Sequence, residues 1–374
     1  LLAVAALAAR TLGTEGFGVF LFGLTAATVL ITPAVDGLAI PLVQRAAQDP
    51  RGIGPRLGTV LPLQLVLGGG LLVLAWAAFR GTERWISWTD IHRDTALVMM
   101  GALAVRGPFE AVRAAVRGLG RMGSELGLVA LERFSLLGLS ALILWRGGGP
   151  VALGLGFIAV RVGAVAVGLS TVRRLGHAIR WRVRGWRRHM AEAVSYSLTL
   201  WIGTAFGAVG ILSLTWFWND AVTGAFGAAF RLFEGLCSMS AVLFLVLLPE
   251  VAARHALAPE RVAPLVSRAM SYTTLLVLPL TAGLLVEAPL LVRALFGPGY
   301  GEAVLPLRIL SLSFLGIFTT EITCTVLWAV ARPRAVLGLM AARLVAQIAC
   351  ALWLVPLGGA VGASLALCLS VGIG

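Results

Sequence analysis

The sequence contains no lysine; all 30 of its basic side chains are arginine. Every cation therefore keeps its charge wherever it sits. Charge of any sign is scarce, at 13% of residues against 59% hydrophobic, with a mean hydropathy of +0.94. That balance excludes an ordinary water-soluble domain. The four cysteines, Cys237, Cys324, Cys350 and Cys368, are scattered through apolar runs without CxxC spacing. Neither a disulfide framework nor a zinc site is indicated. His92, His177, His189 and His255 fall in connections or at the ends of apolar stretches, and no Walker loop, GxSxG or HExxH motif occurs. The longest connection is about seventeen residues, too short for an extramembrane catalytic domain. No metal or cofactor is expected beyond H+ or Na+ as a coupling ion, and a transporter, not an enzyme, is expected ahead of a membrane-embedded glycosyl transferase or polymerase, which should need a sizeable outer loop.

What is present is a succession of apolar stretches. They lie near 1–9, 17–43, 57–79, 95–116, 124–145, 151–172, 191–216, 223–248, 270–292, 303–328, 335–356 and 360–374. A spanning helix needs roughly 20 apolar residues to cross about 30 Å of hydrocarbon. The expectation is an all-α polytopic membrane protein of about twelve transmembrane helices, the first and last truncated. Leu1 to Ala9 reads as the end of a first span, because no basic region or cleavage site marks it as a signal peptide.

Arginine asymmetry sets the expected orientation. Even-numbered connections carry eighteen arginines and odd-numbered ones six or seven, which places the even side and the N-terminus in the cytoplasm. The most basic connection, 173–190, falls midway and divides an N-lobe, 1–172, from a C-lobe, 191–374. Within it Ile179, Val183, Trp186 and Met190 recur at helical spacing among arginines, the pattern of a helix lying on an anionic membrane surface or of a topology-setting linker. Weak internal repeats support the division: Phe17, Gly18 and Arg45 match Phe226, Gly227 and Arg254, and Glu110 and Arg121 match Glu321 and Arg332. Two six-helix halves of equal topology are related by a pseudo-two-fold along the membrane normal.

Five arginines, Arg106, Arg133, Arg161, Arg231 and Arg343, fall inside predicted spans, where each costs roughly 2.5–3.5 kcal/mol on insertion scales. They are expected to face a cavity or a partner. Arg106, Glu110, Arg113 and Arg117 form one stripe on a single helix, suited either to guiding an anion or to internal ion pairing. Gly107 and Pro108 follow Arg106 directly, and proline there removes a backbone hydrogen bond. Arg231 with Glu234, and Arg343 with Gln347, repeat the arrangement. Arg161 has no local partner, which points to a ligand or a distant carboxylate; Arg133 stands beside Glu132 and reads as one side of an interhelical pair. Asp36, Glu287 and Glu321 are candidates for ion coupling, or for pairing with these arginines.

Two segments carry a resemblance. Ala9-Arg-Thr-Leu-Gly-Thr-Glu-Gly-Phe-Gly-Val-Phe20, with Pro41-Leu-Val-Gln-Arg45, resembles the first connection and second helix of bacterial polysaccharide flippases; Leu295-Phe-Gly-Pro-Gly-Tyr-Gly-Glu-Ala303, running into Leu307-Arg-Ile-Leu310, resembles the connection before their tenth helix. These belong to the multidrug/oligosaccharidyl-lipid/polysaccharide (MOP) exporter superfamily, in its O-antigen flippase branch. The resemblance implies two lobes in a V that rock by alternating access, and a monomer carrying a lipid-linked oligosaccharide on undecaprenyl pyrophosphate. It implies that Arg106, Arg161, Arg231 and Arg343, with Glu110 and Arg113, line the substrate path. Membrane lipids and polysaccharide polymerase machinery are the implied partners, and nucleic acid is not among them. A multidrug exporter or a lipid II flippase of the same superfamily is the alternative. The visible part of the first span lacks the acidic residue typical of the drug-exporting branch.

Overall fold

The computed structural model describes residues 2–82, 89–179, 181, 185–257, 260, 262–330 and 332–372. Arg84, Arg180, Arg182, Val183, Arg184 and Arg261, used above for orientation and for the basic linker, lie outside the described residues. Thirteen α-helices and no strand occur among the described residues: α1 (Leu2–Asp36), α2 (Ala39–Gln48), α3 (Ile53–Thr82), α4 (Asp90–Gly118), α5 (Met122–Trp145), α6 (Pro150–Arg174), α7 (Trp186–Phe217), α8 (Asp220–Cys237), α9 (Ser240–Leu257), α10 (Val262–Phe296), α11 (Val304–Leu312), α12 (Phe314–Ala329) and α13 (Pro333–Gly372).

Eight helical runs are long and apolar enough to cross a membrane, and α11 with α12 makes a further pair bent by 42°. The longest runs, Leu2–Val43 and Arg334–Gly372, have 42 and 39 residues. At 1.5 Å per residue each would reach about 60 Å, roughly twice the hydrocarbon thickness. Both are interrupted by non-helical glycine, at Gly13 (φ 69°) and Gly359 (φ 52°). The stretch expected as one span over 223–248 is divided instead: α8 stops at Cys237, and the chain turns at Ser238–Met239 before α9. After α6 the chain turns at Leu175–Gly176 and is irregular over 177–179, and α7 begins at Trp186. Of the linker's apolar pattern, Ile179 and Trp186 pack on the protein core of the first unit, whereas Met190 is 42% exposed.

The chain forms two compact units: Val19–Ala208 with Ala3, and Val4–Gly18 with Leu2 and the chain from Val209 onwards. Both α1 and α7 run through a boundary between units. In the first unit α4 is the central helix, packed against α2, α3, α5 and α6. Leu57, Leu61, Phe109, Val112, Val116 and Val172 form the core around it. In hydrocarbon such packing is held by close contact and not by exclusion of water. Its periphery is α5, whose apolar window is only 22% buried; Phe134 and Trp145 on it are 74% and 83% exposed, as side chains facing lipid would be.

In the second unit an aromatic series runs from α8 to α12, through Phe226, Phe230, Phe233, Phe314 and Phe318, with neighbouring centroids 4.9–6.4 Å apart. The early segment of α1 docks here. Phe17 meets Phe296 and Tyr300 at 6.4 and 6.1 Å. Arg10 donates from Nε to the carbonyl of Leu295 at 2.9 Å and from Nη2 to that of Ala294. The Tyr300 hydroxyl faces the carbonyls of Ala9 and Gly13 at 3.0 and 2.9 Å.

Candidate functional site

The stripe on α4 is the core of the site. Arg106 lies 3.4 Å from Asp36 on α1 and 3.6 Å from Glu110 one turn along. Arg113 donates from Nη1 to both Glu110 oxygens at 2.8 Å and from Nη2 to Glu125 on α5 at 3.1 Å. Arg117 reaches the same Glu125 oxygen at 2.5 Å. Three guanidinium groups thus alternate with three carboxylates in one chain of ion pairs. The carboxylates remove the electrostatic cost of placing arginine in an apolar bundle.

The site is positioned by a close crossing of α1 and α4. A methyl group at Gly107 would overlap the Val35 side chain, so glycine lets the helices approach just where Arg106 meets Asp36. Beneath the crossing the fully buried Gln64 of α3 donates to the Val35 carbonyl at 2.9 Å, while its own Oε1 has no partner among the described residues. A cavity of about 190 Å³ opens beside the network, lined by Asp36, Ile40, Arg106, Glu110, Arg117 and Leu200 among others. Two arginines and two carboxylates therefore share its wall. An anion entering would compete with Asp36 and Glu110 for Arg106, and a cation would compete with Arg106 for the carboxylates.

The other candidates are placed differently. Arg161 on α6 is 3% exposed and does not line that cavity. Its Nε lies 3.6 Å from Glu132 of α5, itself 3% exposed, Nη1 donates to the Ala102 carbonyl at 2.9 Å, and the guanidinium rests 5.5 Å from the Phe157 ring centre. The distant carboxylate is thus Glu132, which also has Arg133 at 3.7 Å. In the second unit Arg231 donates to Glu234 at 2.5 Å. Glu321 on α12 and Arg343 on α13 lie within each other's electrostatic influence; Gln347 is occupied by Ser370, 2.7 Å away. Glu287 is exposed on α10 without an ion pair among the described residues. The structure therefore brings Asp36, Arg106, Glu110 and Arg113 together in the first unit, with Arg161 paired to Glu132 and within electrostatic reach of Arg106 and Asp36; Arg231, Arg343, Glu287 and Glu321 belong to the second unit.

Glu125 is the member that periodicity on α4 could not reveal. Its signal is the three-residue connection Leu119–Arg121, which folds the start of α5 back beside the end of α4.

The all-helical polytopic fold is shared with solved structures of membrane transporters. An inward-facing multidrug resistance MATE family transporter of the MOP superfamily superposes with a TM-score of 0.79 at 14% identity, over 100% of this chain and 91% of its own. The lipid II flippase MurJ in an inward closed conformation gives 0.81 at 10% identity, over 100% and 82%. A MOP superfamily transporter from Pyrococcus furiosus, described by the reverse polarity of its binding pocket, gives 0.68 at 15% identity, over 99% and 88%. No protein-family model and no curated protein matches the sequence. At these identities the likeness is one of fold.

Proposed function

We propose that this chain translocates an undecaprenyl-pyrophosphate-linked oligosaccharide across a bacterial cytoplasmic membrane by alternating access, acting as a flippase and not as an enzyme. The observation that carries this reading is Arg106, held inside an apolar bundle by Asp36 and Glu110 and open to a cavity on one side. Its two contacts are long for charge-assisted hydrogen bonds, which prefer about 2.7–2.9 Å. A phosphate oxygen meeting the guanidinium fork at closer range would displace them. Arg113 and Arg117 continue the path along α4 and are held by Glu110 and Glu125 until the anion arrives. Arg231 and Arg343 are the corresponding candidates in the second unit.

A second reading, a proton- or sodium-coupled exporter of organic cations, draws on Asp36 and Glu110 in the same cavity; a lipid II flippase would use the arginines as the saccharide flippase does. Export of lipid-linked glycan in a flippase-deficient cell separates them. Wild type restores export, and Arg106→Ala at matched membrane level does not. Full export by Arg106→Ala would sink the arginine path, and efflux of a cationic dye abolished by Asp36→Asn, without glycan rescue by wild type, would establish the exporter.

A further inference from the structure

Two hollows of opposite character flank the place where α1 meets α7 in the first unit. The meeting is tight, since a methyl group at Gly37 would overlap Ser197. On one side is the charged cavity with Asp36, Arg106 and Leu200. On the other is a groove of about 380 Å³ walled by Leu30, Pro33, Leu67, Leu71, Val194 and Trp201 among others. The two adjoin along the chain: Leu38 lines the groove and Ala39 the cavity, just as Trp201 lines the groove and Leu200 the cavity on α7. Leu30 and Trp201 are 45% and 44% exposed, and both lie in runs long and apolar enough to cross a membrane, so the groove is open as well as apolar.

We propose that this groove seats the head-proximal hydrocarbon chain of the same anionic lipid whose phosphate enters the charged cavity, with the Gly37–Ser197 contact as the threshold between head and chain. The inference rests on reading that cavity as a phosphate site. Ordinary ligand pockets run from roughly 300 to 1,000 Å³, and the charged cavity, at about 190 Å³, admits a phosphate group but not a saccharide. A phosphate held there must send its chain to an apolar wall, because hydrocarbon has no place among ion pairs and charge has none in hydrocarbon. The adjoining groove is such a wall. A chain gains little by leaving bulk lipid for leucine side chains, so the groove fixes where the chain lies more than how tightly the lipid binds.

The test uses the full chain in lipid nanodiscs and a polyprenyl pyrophosphate bearing a photoreactive diazirine on its first isoprene unit. Label should fall on residues 30–38, 67–71 and 194–201. Excess inorganic pyrophosphate, or Arg106→Ala, should lower that labelling by about tenfold, as for loss of a charge-assisted contact. Filling the groove by Ala34→Trp or Leu71→Trp should lower it similarly while inorganic pyrophosphate still binds as in wild type. Label spread evenly over lipid-facing helices, or persisting in the filled groove, would overturn the inference, and the phosphate cavity would stand provided Arg106→Ala loses pyrophosphate binding. Equal labelling by a photoreactive phosphatidylcholine would make the groove a seat for bulk lipid and overturn it too. A wild-type chain that binds no pyrophosphate would sink the cavity reading and this one together.

Discussion

Arg10 and Tyr300 cap each other's helical segments. The guanidinium of Arg10 serves the last carbonyls of α10, and the Tyr300 hydroxyl, carried on the turn just after α10, serves carbonyls at the Gly13 break in α1. The acceptors of Arg10 are among the last four carbonyls of α10, which have no partner inside their own helix, and a cation beside a helix C-terminus is also favoured by the helix dipole.

Removing the Tyr300 hydroxyl should therefore loosen this docking without touching the charged cavity. Tyr300→Phe is expected to destabilise the protein by about 0.5–1.5 kcal/mol and Arg10→Ala by about 1.5–3 kcal/mol, the ranges for neutral and charge-assisted hydrogen bonds. Thermal unfolding in detergent reads both; unchanged midpoints would mean the contacts hold nothing.

The Arg161–Glu132 pair is expected to be structural. Removing one partner leaves a buried, uncompensated charge, and Arg161→Ala or Glu132→Gln should each cost roughly 3–5 kcal/mol. Replacing both, by Arg161→Met with Glu132→Leu, should recover much of that loss, and a double-mutant cycle on stability measures the coupling. Additive losses would show that the two side chains do not act on each other.

The carboxylates beside Arg106 should hold back its affinity for anions. Asp36→Asn frees one side of the guanidinium and should tighten binding of inorganic pyrophosphate by about tenfold, near 1.4 kcal/mol; Arg106→Ala should abolish it. Calorimetric titration of the purified chain decides the matter, and weaker binding by Asp36→Asn would contradict the competition described above.

The α1–α4 crossing should not tolerate a side chain at Gly107. Gly107→Leu is expected to cost about 1–3 kcal/mol through overpacking, and Val35→Ala, which removes the group it would strike, should restore part of the loss. A variant as stable as wild type would mean the helices can part at no cost.

Much of this was legible in the sequence, for a definite reason. The stripe Arg106, Glu110, Arg113, Arg117 lies on one helix, where spacing alone decides which side chains are neighbours. Its partners Asp36 and Glu125 come from other helices, as do the two halves of the Glu132–Arg161 pair, and one sequence holds no record of which helices adjoin. The fold class followed from apolar run lengths, which the membrane imposes. The helix breaks at Gly13 and Gly359 were less visible, since the chain has 45 glycines and most of them sit inside helices or let helices approach. In the linker, Ile179 and Trp186 both meet the core, the first from irregular chain and the second from the start of α7, a difference their helical spacing does not reveal.

The docking of the early α1 segment also sets a schedule for biogenesis. Arg10 and the carbonyl it serves on Leu295 are separated by 285 positions. At synthesis rates of about 5–20 residues per second, the early segment waits roughly 15–60 s in the translocation machinery or the bilayer before its acceptor exists. For that interval a permanently charged side chain lacks the two carbonyls that finally hold it.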